Sequence, residues 1–365
     1  MANYRIEKSG KVPAYRQLYE QLRQDIHTGV IAAGHKLPSK RTLAAEVGVS
    51  VITVEHTLAL LADEGYIEAR TRSGYYCVSA SHAQTLPIKR ASLASMTVAD
   101  DIPADFPFSV LAKTMRRVLS EYDRRILSRG ANTGCIELRC ALSEYLFRSR
   151  GIKAAPEQIV IGSGAEYLYS LAVQLLGRER RIALESPCYD KIRRVYESSG
   201  AVCELLALGE DGIESSALAG SHAGVLHVTP YHSYPSGVTA TAAKRQEYAL
   251  WAKSRGAYII EDDYDSESAP RPVETLFSIA PERVIYVNSF SKTIAPAIRT
   301  GYMLLPEALV GDYEKKLGFL ACTVPVFEQL VLAQFIADGE LERCIDRRRR
   351  QERQRAKQLS AEAGQ

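Results

Sequence analysis

The sequence predicts two unlike units. A small winged helix-turn-helix of mixed α+β type stands at the front, and an α/β body with a mainly parallel sheet follows. Three observations predict this. Three short amphipathic helix patterns and a hairpin signature fill roughly residues 10–79. From residue 106 onward, continuous apolar runs alternate with helical patterns. Between them, residues 80–105 are rich in Ser, Ala, Thr and Pro without a sustained period, which reads as a tether. The body is expected to run over 106–345, with a last segment at 346–365.

In the front unit, Tyr15, Leu18, Leu22 and Ile26 form one apolar stripe, closed by Gly29. Ser39 is a natural cap for a second helix with Leu43 and Val47 inward and Gly48 at its end. Ser50 opens a third, with Val54, Leu58 and Leu61 inward and Gly65 closing it. The tight link between helices two and three is the helix-turn-helix spacing, whose second helix enters the major groove. Residues 66–78 read as a hairpin whose tip carries Arg70 and Arg72, placed for phosphate or minor-groove contact. Residues 1–90 hold 12 Lys and Arg against 8 Asp and Glu, while the rest holds 34 against 35. The excess of positive charge therefore sits on the unit that would face nucleic acid.

In the body, the apolar runs at 159–161, 182–184, 225–228, 258–260 and 284–287 are continuous, as parallel strands covered on both faces require. Helical patterns at 167–176 and 242–255 lie between them. Ligands of such sheets collect at the carboxyl ends of strands. Those ends carry Gly162-Ser163-Gly164-Ala165-Glu166, then Cys188-Tyr189, then Glu261-Asp262-Asp263-Tyr264-Asp265, then Ser289-Phe290-Ser291-Lys292 with Arg299 beyond. They supply an anion nest, an aromatic plate, carboxylates and a lysine. Four carboxylates in five residues need cationic partners, and with no His nearby they do not suggest a metal site. The seven Cys contain no C-x-x-C pair, so neither a disulfide framework nor a zinc knuckle is indicated. No apolar run reaches bilayer length and the first residues lack a secretory h-region. A cytoplasmic protein with no membrane partner is expected.

Two resemblances sharpen this. Leu37-Pro38-Ser39-Lys40-Arg41-Thr42-Leu43-Ala44, Val49-Ser50-x-x-Thr53-Val54, Leu58-x-x-Leu61-x-x-Glu64-Gly65 and Ser73-Gly74-Tyr75 resemble the winged helix of the GntR regulators. That resemblance implies an operator contact through Ser39, Lys40, Arg41, Ser50, Thr53 and the wing residues Arg70, Arg72, Ser73 and Gly74. Val51 stands where the family usually has Arg, so operator preference should differ and His56 is a candidate base reader. Ser289-x-x-Lys292-Thr293 with Arg299, Gly301 and Tyr302, together with Gly134-x-x-x-Leu138-Arg139, Gly162-x-Gly164-Ala165 and Pro235-Ser236-Gly237, is similar to fold-type I aminotransferases. A GntR winged helix fused to such a domain is the arrangement of MocR-type (GabR-like) regulators.

The second resemblance implies pyridoxal 5′-phosphate, held as a Schiff base by Lys292. Asp262 would pair with the pyridine nitrogen, Tyr264 with the ring hydroxyl, and Tyr189 would stack on the ring. Gly164, Ala165, Glu166, Ser289, Ser291 and Arg299 would receive the phosphate. Whether Asp262 or Asp263 faces the pyridine stays open, because neighbouring strand residues point oppositely. His232 is expected near the cofactor without an assigned role. The family further implies a homodimer, an amine or amino acid effector, and a small C-terminal domain with a carboxylate-binding Arg that the sequence does not reach. The run Arg347–Arg350 is expected to be a solvated helix face. Three functions remain open: a sensing regulator, an aminotransferase with an appended winged helix, and a non-sensing DNA-binding remnant.

Overall fold

A computed structural model describes residues 4–7, 12–71, 73–78, 106–269 and 273–363. It divides into two units, 1–97 and 98–365. The expected tether at 80–105 and the wing residue Arg72 lie outside the described residues.

The first unit holds α1 (Ala14–His27), α2 (Lys40–Val47), α3 (Val51–Asp63), β1 (Ile67–Arg70) and β2 (Gly74–Cys77). Leu18, Leu22 and Ile26 of α1 meet Leu43 of α2 and Val54, Leu58 and Leu61 of α3 in one buried cluster. Each such side chain contributes roughly 1.5–3 kcal/mol by leaving water. Both predicted caps form: Ser39 accepts the Thr42 N–H and Ser50 accepts the Thr53 N–H, each at 3.1 Å. Gly48 ends α2 at φ +70°, a left-handed conformation that costs glycine little. Helices α2 and α3 meet at 115°, within the range of helix-turn-helix units. The hairpin pairs Ile67 with Cys77 through Arg70 with Gly74.

The second unit holds, in order, α4 (Phe108–Tyr122), α5 (Ile136–Arg150), β3 (Ile159–Gly162), α6 (Ala165–Leu176), β4 (Ile182–Ser186), α7 (Asp190–Ser198), β5 (Cys203–Gly209), β6 (Gly212–Ile213), α8 (Ser215–Gly220) and β7 (Val225–Val228). It continues with α9 (Ala242–Arg255), β8 (Tyr258–Asp262), α10 (Leu276–Ile279), β9 (Val284–Ser289), α11 (Phe290–Thr293), β10 (Gly301–Leu304), α12 (Glu307–Leu317), α13 (Val326–Ala337) and α14 (Glu340–Ala363). The sheet order is β3-β10-β9-β8-β7-β4-β5-β6. Strands β9, β8, β7, β4 and β5 run parallel, while β10 is antiparallel to both its neighbours and β6 to β5.

Why the apolar runs are unbroken is visible in the packing. Ile159, Ile161, Ala183, Val284 and Tyr286 enter one core with α5, α9 and α13. Their neighbours Val160, Ile182, Leu184, Ile285 and Val287 enter a second core with α6 and α12 on the other face. Alternate residues serve opposite layers, so both periods of the strand must be apolar. All five predicted strands form. The sequence reading did not name β5, β6 or β10. Strand β5 is half-exposed and interleaves a Glu, and β10 has only four residues.

The arginine run departs from expectation. Arg348 donates to the backbone carbonyl of Lys292 and Arg349 to that of Glu267. The run is not a solvated face, because α14 packs its basic side against the loop ends that follow β8 and β9. Among the described residues no single helix is long and apolar enough to cross a membrane.

Candidate functional site

The antiparallel strand β10 explains how the site assembles. Gly301 pairs with both Gly162 and Ser289, so the start of β10 meets the ends of β3 and β9. Arg299, two residues earlier, is thereby delivered to the turn that opens α6. Gly164 takes φ +93° there, and a Cβ on it would lie 2.8 Å from the Arg299 guanidinium. A side chain at 164 would expel the arginine.

A cavity of about 410 Å³ opens over these strand ends. Ala165, Glu166, Tyr189, Asp262, Tyr264, Ser289, Ser291, Lys292 and Arg299 line it. Residues from four separate strand ends, singled out from their motifs, thus converge on one place, with Gly164 directly beside it. Tyr169, Lys191, Ile192, Thr229 and Tyr234 also line the cavity and were not singled out from the sequence. Tyr169 was legible in principle, since it lies one helical turn beyond Ala165 on the same face. Lys191 gave no signal beyond an ordinary surface lysine.

The acidic stretch after β8 is sorted by direction. Asp262 faces the cavity and receives a hydrogen bond from Tyr169. Burial pushes its carboxyl up to about 7, against the lowering effect of that bond. Asp263 turns to the other face, where Arg150 Nη2 stands 2.8 Å away and the Tyr286 hydroxyl donates at 2.7 Å. Both members of that ion pair are buried. Glu261 is held by the N–H groups of Leu276 and Phe277, and burial raises it to about 8. Asp265 meets Lys292. The four carboxylates therefore coexist because Asp263 and Asp265 find cations, while burial raises Glu261 and Asp262 toward neutral pH, so neither is fully ionised there.

At the other end of the cavity Glu166 stands between two cations. Arg299 Nη2 lies 2.9 Å from one oxygen and Lys191 bonds the other. Burial alone would raise Glu166, but Lys191 and the backbone hydrogen bond draw its carboxyl below the usual range. Arg299 also donates to Ser291 Oγ at 3.0 Å. Tyr189 caps α7 and meets Tyr234 edge to face at 5.5 Å. Tyr264 donates its hydroxyl to the His232 carbonyl at 2.7 Å.

In the winged unit, Ser39, Ser50 and Thr53 are engaged in capping. Lys40 pairs with Glu55 at 2.5 Å, and Arg41 is exposed. Arg70 pairs with Glu68 and lies over the Tyr76 ring at 4.4 Å; Ser73 shares a hydrogen with the Tyr76 hydroxyl. His56 is exposed and stacks on Tyr15 at 4.3 Å. Val51 and Ile52 project outward at the start of α3, 43% and 77% exposed, so an apolar tip stands where the helix would approach bases.

Residues 14–77 match the family of bacterial regulatory proteins, gntR family, and residues 102–363 match aminotransferase class I and II. The chain is 33% identical over 360 residues to the uncharacterized HTH-type transcriptional regulator YdeL of Bacillus subtilis, covering 94% of this chain and 78% of that one. It is 29% identical to the probable rhizopine catabolism regulatory protein MocR of Rhizobium meliloti, over 94% of this chain and 76% of that one. The chain belongs to the MocR-type family. The MocR-type body also shares its fold with the Pyrococcus horikoshii kynurenine aminotransferase, with a TM-score of 0.61 at 23% identity. That likeness covers 68% of this chain and 65% of the archaeal enzyme, so this MocR-type chain spans less than two thirds of the enzyme's length. The order of its two units is the order predicted from the motifs.

Proposed function

We propose that this chain is a transcription regulator whose winged helix grips operator DNA and whose cavity takes pyridoxal 5′-phosphate to sense an amine or amino acid. One observation carries the reading: a lysine, a buried carboxylate and an arginine beside a helix N-terminus share a single cavity. Those are the three handholds of that cofactor's aldehyde, pyridine nitrogen and phosphate. When bound, the cofactor supplies an aldehyde that takes up amines and a ring that withdraws electrons.

The chain's own groups do the rest. Lys292 Nζ would hold the aldehyde, condensing with it as an imine with release of water. Asp262 would hold a proton on the ring nitrogen, whose positive charge would favour the ionised carboxylate. Tyr189, 46% exposed at the cavity mouth, covers one ring face. Arg299, Ser289, Ser291 and the first N–H groups of α6 would hold the phosphate, in competition with the Glu166 carboxylate that pairs with Arg299. An effector amine would compete with Lys292 for the same aldehyde, and such a ligand would bias DNA binding only by the difference in its affinity for the two states of the chain. A homodimer on a two-fold operator is supported by Phe108, Met115 and Leu119, which repeat along one outer face of α4 at 71%, 37% and 48% exposure.

Titrating the purified chain with pyridoxal 5′-phosphate tests this. The expected result is an absorbance band near the visible edge, absent in Lys292→Ala, and retention of promoter DNA that changes when amines are added. A chain that stays colourless at saturating cofactor sinks the sensing proposal. DNA retention indifferent to amines would leave only the operator-binding half.

A further inference from the structure

Lys292 and three residues beside it form a closed ring, two of whose members, Asp265 and His232, have no role in the reading above. Lys292 Nζ lies 2.8 Å from Asp265 Oδ1, in ion-pair contact without the alignment of a hydrogen bond. The same ammonium sits 4.4 Å above the Tyr264 ring, a cation–π distance. The other oxygen of Asp265 meets His232 Nδ1 at 3.3 Å. The Tyr264 hydroxyl closes the ring on the His232 carbonyl.

His232 itself is held at φ +52°. That is a left-handed conformation non-glycine residues avoid, and such outliers persist where surrounding contacts over-determine them. Here the contacts are visible: the His232 N–H donates to Thr239 Oγ1 and its ring stacks on Tyr231 at 4.1 Å. The strain presents the imidazole to Asp265, whose side chain is 9% exposed while that of His232 is 50% exposed.

We infer that Asp265, with His232 on its second oxygen, is the dock for the Lys292 amine whenever that amine is not bonded to a cofactor. The inference rests on the cofactor reading above and deepens it. An amine displaced by an effector needs a place to stand as an ammonium, or it will compete with the effector. The carboxylate and the Tyr264 face supply that place within reach of the cavity. The poorly aligned contact holds charge without locking direction, so the amine can leave again. Asp265 is thus a positioning residue: it acts through Lys292. Other charged groups near the amine are Asp262, which also lines the cavity, Arg348 on the Lys292 carbonyl and Glu267, which accepts from Thr293.

The test needs no turnover. Full-length chain freed of cofactor is labelled with trace acetic anhydride at pH 8, and the Lys292 peptide is quantified by mass spectrometry against exposed lysines. An amine held between Asp265 and the Tyr264 ring is turned away from the reagent, so a docked Lys292 labels slowly. Asp265→Asn is expected to raise Lys292 labelling severalfold by releasing the amine, and Asp265→Glu to return it toward the wild-type rate. His232→Gly, which suits the φ of +52° there, removes the contact on the second oxygen and leaves the carboxylate to the amine, so it is expected to lower labelling about two- to threefold. Wild-type labelling in a folded Asp265→Asn chain overturns the dock. Should that variant not fold, unchanged labelling in His232→Gly overturns it instead. Cofactor absorbance of the wild-type chain is read separately. A band with no labelling effect removes the dock alone, and a labelling effect with no band removes the cofactor reading alone.

Discussion

In the winged unit, Ser50 reaches three residues along its own chain to cap α3. In the body, Arg150 reaches across 113 residues of sequence to meet Asp263. The first unit holds Ser39 and Ser50 with local capping bonds on the surface. The second holds its cavity with buried charges brought together by strand order. Loss of a local bond costs that bond. Loss of one member of a buried pair leaves an uncompensated charge in the interior, which costs far more than the pair was worth.

That contrast is most directly broken at Arg150. Arg150→Leu strands Asp263, whose other partner is the Tyr286 hydroxyl, and is expected to destabilise the body by about 3–5 kcal/mol. The single tryptophan, Trp251, is buried in the body core, so its fluorescence during urea unfolding reports this unit. A loss below about 1 kcal/mol would show that the buried pair behaves like a surface one.

Proton linkage separates the units next. Burial raises Asp262 and Glu185 to about 7 and Glu261 to about 8. A carboxyl raised in the folded state binds more protons there than when unfolded, so its stabilising effect is present at low pH and fades as pH rises from about 4 toward 8. The Trp251 transition should therefore fall in temperature between pH 5.5 and pH 8.5. Glu261→Gln should flatten that fall, because it removes the group raised furthest. A slope unchanged in the variant would place the linkage elsewhere.

The smallest expected effect belongs to the winged unit. Ser50→Ala should cost about 1 kcal/mol, read as faster hydrogen exchange of the amides around Val54 and Leu58, with the Trp251 transition unmoved. A shift of that transition would show that the cap serves more than its own helix.

The same contrast explains what the sequence made legible. Helix stripes, serine caps and glycine stops are local, and Ser39, Ser50, Gly48 and Gly65 could be read in place. The cavity residues were legible because each sat at the end of an apolar run, and the sheet brings such ends together. Asp262 and Asp263 could not be told apart until β8 had a register, because one step along a strand reverses the side chain. Lys191 and Asp265 were invisible as site residues: their meaning comes from Glu166 and Lys292, partners named by no local pattern. The arginine run was misread for the same reason, since the carbonyls it grips lie far away in the chain.

Glu166 has a consequence for what the cleft ignores. Two bare cations at a helix start would scavenge chloride, sulfate or stray nucleic acid. By lodging its own carboxylate between Lys191 and Arg299, the protein keeps the cleft electrically quiet. An anion that reaches the turn at Gly164 would first have to displace that resident carboxylate.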